Sequence, residues 1–299
     1  MVTPWYGVLA GVCLFWGTIP YVIRDVGLDG IAITFVRVWV AAAGLVVLLA
    51  VRRRFGATGN EVGVRLFSRS PVRCLIAGAV LALHWSAMFG AYKRAPADMV
   101  IFLLYLAPVM IAALAPLVLS ERVGPRTLAA LVTAVVGAAL VTRPAGGGEV
   151  AGLVLAGIAA ASFGALVLIA KPLAQIYGGL RLTLMEMTVA GVVLLPLAVR
   201  QEWGSPERSW LWLAVLGAVH TAVGTALYLA ALARLPAAHV GIIGYLEPAG
   251  VVLFGWMLLA LAPSVPTLAG GALIVVAGVL VVRAGTRELV EEGGTHVPG

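Results

Sequence analysis

Residues 94–109 read RAPADMVIFLLYLAPV, and the pattern returns at residues 234–249 as RLPAAHVGIIGYLEPA. At a constant offset of 140 positions, residues 91–143 and 231–283 align without a gap, and 17 of the 53 pairs are identical. The chain is therefore an internal duplication. In a membrane protein, duplicated halves are typical of a transporter, because two related bundles can open a shared site to either side of the bilayer.

The composition places the chain in a lipid bilayer. Hydrophobic residues make up 62% and charged residues 11%, with a mean hydropathy of +1.07, which is more apolar surface than a soluble protein of 30.9 kDa can bury. A helix of about 20 residues crosses the hydrocarbon core, and the apolar runs are too long for barrel strands. The sequence predicts an all-α integral membrane protein whose ten transmembrane helices cover 5–23, 31–51, 73–92, 96–119, 124–142, 150–170, 182–200, 209–233, 237–260 and 264–283.

The basic residues are unevenly distributed between the two sides. If the amino terminus is cytoplasmic, most of the Lys and Arg residues, including the cluster between Arg52 and Arg73, fall in inner loops and the tail. This bias predicts that both termini are cytoplasmic and that the cluster contacts anionic lipid, so no nucleic-acid partner is expected. Arg outnumbers Lys, while Ala, Gly and Val are abundant, which favours a bacterial cytoplasmic membrane.

The duplication predicts the domain organisation. Five spans in each half mean that the second half enters the membrane from the opposite side, so the repeats are inverted. We expect a first five-helix repeat at 1–143, a hinge at 144–149, a second repeat at 150–283 and a disordered cytoplasmic tail at 284–299. Small residues at helical spacing in spans five and ten indicate either bundle packing or a dimer contact, so a monomer and a homodimer both stay open.

Several short motifs resemble those of the drug/metabolite transporter superfamily, EamA type. The motifs are Phe15-Trp16-Gly17, Thr34-Phe35-Val36-Arg37, Ala107-Pro108, Leu119-Ser120-Glu121-Arg122-Val123, Leu246-Glu247-Pro248 and Gly255-Trp256. The resemblance implies a central cavity lined by spans one, three, four, six, eight and nine, with alternating access and export of small metabolites such as amino acids. One departure is Leu261-Ala262-Pro263, where the family usually has an acidic and a basic residue, and it argues against a symmetric pair of salt-bridge gates.

Glu247 is the first candidate for a binding or coupling residue. It lies near the middle of span nine, where a carboxylate costs about 2.5 to 3.5 kcal/mol and must face a polar cavity, be paired or be protonated. Pro248 frees the carbonyl of Gly244 and allows a local break, and Pro108 holds the equivalent place in span four. We expect a proton or cation site here, or a protonated Glu247 that satisfies exposed backbone.

Other midspan side chains complete the predicted cavity. His84 and His220 lie on equivalent faces of spans three and eight, where they bind a substrate carboxylate, shuttle protons or serve structure alone. Aromatic residues at repeat-related places predict walls for an amino acid or amine, although ordinary packing explains them too. These residues are Trp16, Tyr105, Phe163 and Tyr245, and Tyr228 is added to the predicted cavity because it follows His220 on one face of span eight.

Arg37 and Glu186 carry opposite charges at related positions of spans two and seven. They are predicted either to act as gate latches or to extend toward the lipid headgroups. The sequence thus favours a secondary transporter that exports a small polar or zwitterionic metabolite, facilitative or proton-coupled. The alternatives are a membrane-embedded enzyme, which the absence of catalytic motifs disfavours, and a channel or structural protein. No catalytic residue, metal or cofactor is expected, and no ATP-binding Gly-Lys motif is present.

Overall fold

The structure is a computed structural model that describes residues 3–24, 26–55, 70–144, 146–203 and 209–294. Over these residues it is all helical, and ten spans are long and apolar enough to cross a membrane, which confirms the predicted all-α fold with ten spans. Spans one to ten are Pro4–Val22, Gly30–Arg54, Pro71–Tyr92, Ala97–Val118, Pro125–Thr142, Val150–Tyr177, Gly179–Ala198, Ser209–Leu232, Ala237–Leu259 and Val265–Gly285.

Two boundaries differ from those predicted. Span six was expected to end at 170 but continues to Tyr177, and only Gly178, with φ of 73°, separates it from span seven. The helix passes through Lys171 because the charge of this residue is paired inside the bundle. The last helix runs from Val265 to Gly294, so it continues beyond the predicted end of span ten at 283. Arg, Glu and Leu in this segment are good helix formers, and the helix ends at a glycine pair; residues 295–299 lie outside the described part.

Four spans are interrupted. The interruptions lie at Gly or Pro residues or consist of a π-helix. Span one consists of Thr3–Trp16 and Ile19–Val22, and span four of Ala97–Leu104 and Ala107–Val118. Span eight consists of Ser209–Val215, the π-helix Leu216–Val223 and Gly224–Leu232, and span nine of Ala237–Gly244 and Leu246–Leu259. The breaks in spans four and nine fall at equivalent positions of the two repeats, beside Pro108 and Pro248.

The helix contacts follow the internal repeat. Span three packs on span six and span one on span eight; likewise span four packs on span six and span nine on span one. Spans five and ten pack on each other, as do spans two and seven and spans four and nine. Spans one to five correspond to spans six to ten, so each of these contacts either has a counterpart in the other repeat or joins two corresponding spans. The broken spans four and nine form one of the contacts between corresponding spans.

Small residues bring helices together at two places. A Cβ on Gly17 of span one would lie 2.5 Å from the carbonyl carbon of Gly250 in span nine. A Cβ on Gly137 of span five would lie 2.7 Å from the carbonyl oxygen of Gly270 in span ten. The glycines of spans five and ten therefore serve packing within one chain.

Candidate functional site

The centre of the bundle is built where spans four and nine break. Val109 donates its amide to Leu106 and Pro108 has no amide, so the carbonyl of Tyr105 loses its usual helical donor. The hydroxyl of Tyr245, a fully buried side chain, donates to that carbonyl instead. The two rings lie 5.6 Å apart between centroids, so the predicted pair of aromatic residues is brought together at the breaks.

Glu247 begins the second half of span nine and is partly exposed, whereas the flanking Leu246 and Pro248 are buried. Its carboxylate forms no hydrogen bond or ion pair with any described residue. Residues of five other spans lie near enough to Glu247 for its charge to influence them, namely Cys13, Arg37, Tyr92, Tyr105 and Tyr228. The residue therefore lies in the interior of the bundle, near polar groups to which it forms no hydrogen bond.

Arg37 points inward and does not extend along the lipid face. It shares a helix face with the buried Thr34 and Ala41, while Trp39 on the opposite face is exposed. Its guanidinium lies 4.5 Å from the ring centroid of Trp85, which is a cation-π contact. The Nε atom is buried and has no hydrogen-bond partner among the described residues, so the side chain packs against span three.

Glu186 is also buried, at 2% exposure, and its Oε1 atom has no partner. Cys74 and Tyr228 lie near enough to Glu186 for its charge to influence them, but Glu186 forms no ion pair with Arg37. Spans two and seven pack on each other, but the two predicted latch residues do not form an ion pair. The acidic residue whose charge influences Arg37 is Glu247.

Both predicted histidines have protein partners. His84 Nδ1 lies 2.8 Å from the carbonyl oxygen of Ala159, and its ring is 5.2 Å from that of Phe163. His220 Nε2 lies 2.8 Å from the hydroxyl of Thr18, and its ring stacks on Phe15 at 4.3 Å. The pair His84–Phe163 joins spans three and six, and the pair His220–Phe15 joins spans eight and one, which are their repeat counterparts.

Trp16 and Tyr228, which we call the aromatic wall, lie against the π-helix of span eight or directly after it. Trp16 Nε1 donates to the carbonyl of His220 at 2.9 Å, and the ring of Trp16 lies 5.4 Å from that of Tyr228. Gly224 leaves room for this indole, because a Cβ there would lie 2.6 Å from Trp16 Nε1. Trp16 and Tyr228 are therefore adjacent, and Phe163 lies apart from them beside His84.

A second cluster of polar groups was missed at the sequence level. Lys171 Nζ lies 2.5 Å from Glu121 Oε1 and donates to the carbonyl of Leu235, while Ala237 donates its amide to Glu121 Oε2 at 2.6 Å. We call these four residues the inner cluster, because they lie at the ends of the spans predicted to face the cytoplasm. The motif Glu121-Arg122 was a usable signal for it, but Lys171 was assigned to a loop.

His239 forms further hydrogen bonds beside the inner cluster. Its Nδ1 lies 2.7 Å from the hydroxyl of Tyr6 and its Nε2 lies 3.1 Å from the hydroxyl of Thr127. A Cβ at Gly285 of the last helix would overlap the Tyr6 hydroxyl. Spans one, five, nine and ten are thereby joined beside the inner cluster.

The opposite end of the bundle carries a more exposed ion pair. Lys93 Nζ lies 2.8 Å from Asp29 Oδ2, and the two side chains are 54% and 28% exposed. Partial burial acts to raise the pKa of Asp29, but the hydrogen bonds from Lys93 and from the amide of Ile31 outweigh it and lower the pKa. This ion pair is more exposed than the pair of Lys171 and Glu121 at the predicted inner end.

Comparison with known proteins places both halves in one family. The model of the EamA-like transporter family matches residues 3–143 and again residues 150–283. The chain belongs to the EamA-like transporter family. The two matches meet at the short segment 144–149, where Gly146, Gly147 and Gly148 all have positive φ. As a member of this family, the protein is a multi-pass integral membrane transporter.

Individual relatives agree with this assignment. The chain is 28% identical over 267 residues to an uncharacterized transporter of Archaeoglobus fulgidus, covering 89% of this chain and 91% of that protein. A protein of known crystal structure superimposes with a TM-score of 0.81 at 18% identity, covering 94% of this chain and 98% of the other. The latter similarity concerns the fold alone.

Proposed function

We propose that this EamA-like transporter is a secondary transporter that exports a small polar or zwitterionic metabolite, such as an amino acid, across the bacterial cytoplasmic membrane. The observation that carries the proposal is Glu247, a carboxylate that has no partner among the described residues and lies beside the paired helix breaks of spans four and nine. An interior carboxylate is costly in a membrane and normally marks the path of an ion or substrate.

Alternating access is the transport mode that the repeat supports. Two five-span repeats, 1–143 and 150–283, joined by the hinge 144–149, would be inverted if both termini are cytoplasmic, and the helix contacts follow the repeat pairing. The inner cluster ties spans four, six and nine at one end, so it would have to separate when the site opens to the cytoplasm. The protein would act in lipid as a monomer or a homodimer.

Proton exchange is the coupling mechanism we infer for Glu247. A carboxylate that binds either a proton or a substrate cation makes the two compete, so uptake of one on the outer side releases the other. This competition needs no ATP and uses only the groups around the helix breaks. Facilitated diffusion differs from it in one respect, because flux would then be insensitive to the proton gradient.

The test uses purified protein in liposomes with a metabolite library and an internal pH dye. We expect at least one small polar compound to move and to dissipate an imposed proton gradient, and we expect Glu247→Gln to abolish the proton flux while the protein remains folded. The matched control is Glu202→Gln, which changes an exposed carboxylate outside the spans. If the wild-type protein moves no compound, transport of this class is refuted; proton flux retained in Glu247→Gln assigns a structural role to that residue.

A further inference from the structure

Spans four and nine meet on the inner side of their breaks, the side predicted to face the cytoplasm, and part on the outer side. The two inner halves, Ala107–Val118 and Ala237–Gly244, pack on each other, and a Cβ at Gly241 would lie 3.2 Å from the Cβ of Pro108. The outer half of span four packs on spans three, five and six, while that of span nine packs on spans one, five and ten. In the described part of the chain, the two outer halves show no packing comparable with that of the inner halves. The region of the breaks is therefore sealed on the inner side and not on the outer side.

The inner cluster holds the short connection between spans eight and nine in place. Lys171 of span six donates to the carbonyl of Leu235, and Glu121 at the end of span four accepts the amide of Ala237 at 2.6 Å. Lys171 and Glu121 also bind each other at 2.5 Å, with side chains that are 10% and 16% exposed. Charge-assisted hydrogen bonds that are shielded from water are strong. The cluster therefore closes the inner side by joining spans four, six and nine.

A further side chain of span six binds the same connection. Gln175 lies one helical turn after Lys171, and its amide nitrogen donates to the carbonyl of Ala233 at 3.2 Å. Span six thus binds two carbonyls at the end of span eight, while span four binds the first amide of span nine. The connection is held as a unit, so the inner end opens only when these bonds separate together.

The equivalent positions at the outer end do not form such a cluster. The repeat pairs Glu121 with Leu261 and Lys171 with Arg24. Leu261 has no group that pairs with a cation or accepts an amide, and the first turn of span four has no side-chain cap from its N-cap residue. The outer end therefore keeps one charge of the pair and lacks the carboxylate that makes the inner cluster.

The polar contacts that exist at the outer end do not cross the opening. Asp29 and Lys93 join the ends of spans two and three, which belong to one repeat. The amide of Glu149, at the start of span six, donates to the carbonyl of Arg94 at 2.9 Å, and this bond joins span six to the connection between spans three and four. The outer halves of spans three, four and six already pack together. These contacts thus strengthen one side of the opening and leave it open.

The two repeats exchange their roles when an inverted-repeat transporter passes to the opposite access state. Leu261 would then take the place that Glu121 has here, and the outer end would close without an ion pair. At the same time Glu121 and Lys171 would move apart, and each charge would lose its partner in a setting poor in water. The inner cluster thus stabilises one access state only.

We propose that the inner cluster is a one-sided gate, which biases the empty transporter toward the state that is closed to the cytoplasm and open to the outside. The inference rests on the alternating access of the proposed function and deepens it, because it names the resting state and the residues that set it. Export then begins with separation of the inner cluster. A cytoplasmic molecule reaches the site only in the minority of molecules whose inner end is open.

The experiment measures the two ends separately by double electron–electron resonance. The full-length protein is placed in nanodiscs of phosphatidylethanolamine and phosphatidylglycerol without any transported compound, after its two buried cysteines have been changed to alanine. Nitroxide labels are attached to cysteines at exposed positions, the inner pair at Gly7 and Arg122 and the outer pair at Val150 and Leu258. We expect the wild-type protein to show mainly the short inner distance and the long outer distance.

Two changes shift the gate in opposite ways. Glu121→Leu with Lys171→Met removes the gate without leaving an unpaired charge. It should raise the ratio of inner-open to inner-closed molecules by about tenfold, since loss of a charge-assisted hydrogen bond is enough for such a change. Leu261→Glu supplies the missing carboxylate at the outer end and should raise the outer-closed fraction by a similar factor.

The matched controls keep the size of the side chain or break a contact within one repeat. Leu261→Gln has no charge to pair with Arg24 and should shift the outer distance by a much smaller factor than Leu261→Glu. Asp29→Asn breaks the ion pair with Lys93, which does not cross the opening, and should leave both distances unchanged.

The inference is overturned if the wild-type inner pair is mainly open or if removal of the gate leaves both distances unchanged. It is also overturned if Leu261→Glu acts no differently from Leu261→Gln, and this result decides alone should the double variant fail to fold. Failure of the proposed function is a separate result, because the distances are measured without a transported compound. A protein that moves no compound of the metabolite library can still show the one-sided gate.

Discussion

The hydroxyl of Tyr245 donates a hydrogen bond to the backbone carbonyl of Tyr105, its own counterpart in the other repeat, 140 positions away. The bond joins the two helix breaks at the centre of the bundle. It also makes the duplication asymmetric, since one tyrosine contributes its side chain and the other its backbone. An equal pair of sites on the two repeats would not produce this arrangement, and Glu247 has only Ala107 as its counterpart.

The first prediction concerns this bond. Tyr245→Phe removes only the hydroxyl and leaves the carbonyl of Tyr105 without its donor, which should cost about 1 to 2 kcal/mol of stability. We expect a lower melting temperature in detergent and slower transport. Tyr105→Phe keeps the carbonyl and is the matched control. Equal destabilisation by the two variants would contradict the role assigned to the bond.

The second prediction concerns the inner cluster. Glu121→Gln leaves the buried charge of Lys171 uncompensated, and breaking such a pair costs about 3 to 5 kcal/mol. The double variant Glu121→Gln with Lys171→Met removes the stranded charge and should recover much of the loss. The readout is the melting temperature of each purified variant in the same detergent.

The control for this experiment is the exposed pair at the other end of the bundle. Asp29→Asn breaks the contact with Lys93, and exposed pairs are worth about 0 to 1 kcal/mol. A melting temperature that falls as much in Asp29→Asn as in Glu121→Gln would show that burial of the inner cluster contributes nothing. No recovery in the double variant would show that the stranded charge is not the cause.

The fold was predictable because apolar length is a strong local signal. A run of about 20 apolar residues must cross the bilayer as a helix, since no water is present to satisfy its backbone. The predicted ends failed mainly at Lys171, where charge was taken as the mark of a loop. A charged residue can lie within a span when a partner of opposite charge is near it. The partner of Lys171 is Glu121, which lies 50 positions away in sequence, so no local pattern shows the pair.

The site was predictable only in part. Proline predicted the break beside Glu247, because a missing amide acts on the same helix. The direction of Arg37 depended on Trp85 in another span, and the partners of His84 and His220 were a backbone carbonyl and a threonine that any sequence contains. Contacts of this kind arise from packing between spans, which helical periodicity alone does not fix.

The third prediction concerns the aromatic wall. Trp16→Ala removes the ring beside Tyr228 and should weaken binding of the transported compound by about tenfold, the effect of losing one aromatic contact of about 1.4 kcal/mol. Trp16→Phe keeps a ring but loses the hydrogen bond to His220, so it should lower the melting temperature while affecting affinity less. Trp212→Ala, at an exposed tryptophan of span eight, is the control. Unchanged affinity in Trp16→Ala would place the binding site elsewhere.

The fourth prediction concerns the contact between spans five and ten. A Cβ at Gly270 would lie 2.5 Å from the carbonyl oxygen of Gly137, whereas a Cβ at the neighbouring Gly271 meets nothing within 4 Å. Alanine favours a helix over glycine by about 1 kcal/mol, so an alanine without steric conflict should be neutral or stabilising. We therefore expect Gly271→Ala to keep or raise the melting temperature and Gly270→Ala to lower it.

The same pair of variants tests whether these glycines serve a dimer. If they pack only within one chain, Gly270→Ala destabilises the protein at every concentration, because the conflict is with the backbone of the same molecule. If the face instead joined two chains, the variant would lower the mass measured by light scattering in detergent and make stability depend on concentration. Equal melting temperatures for the two alanine variants would contradict close packing of spans five and ten.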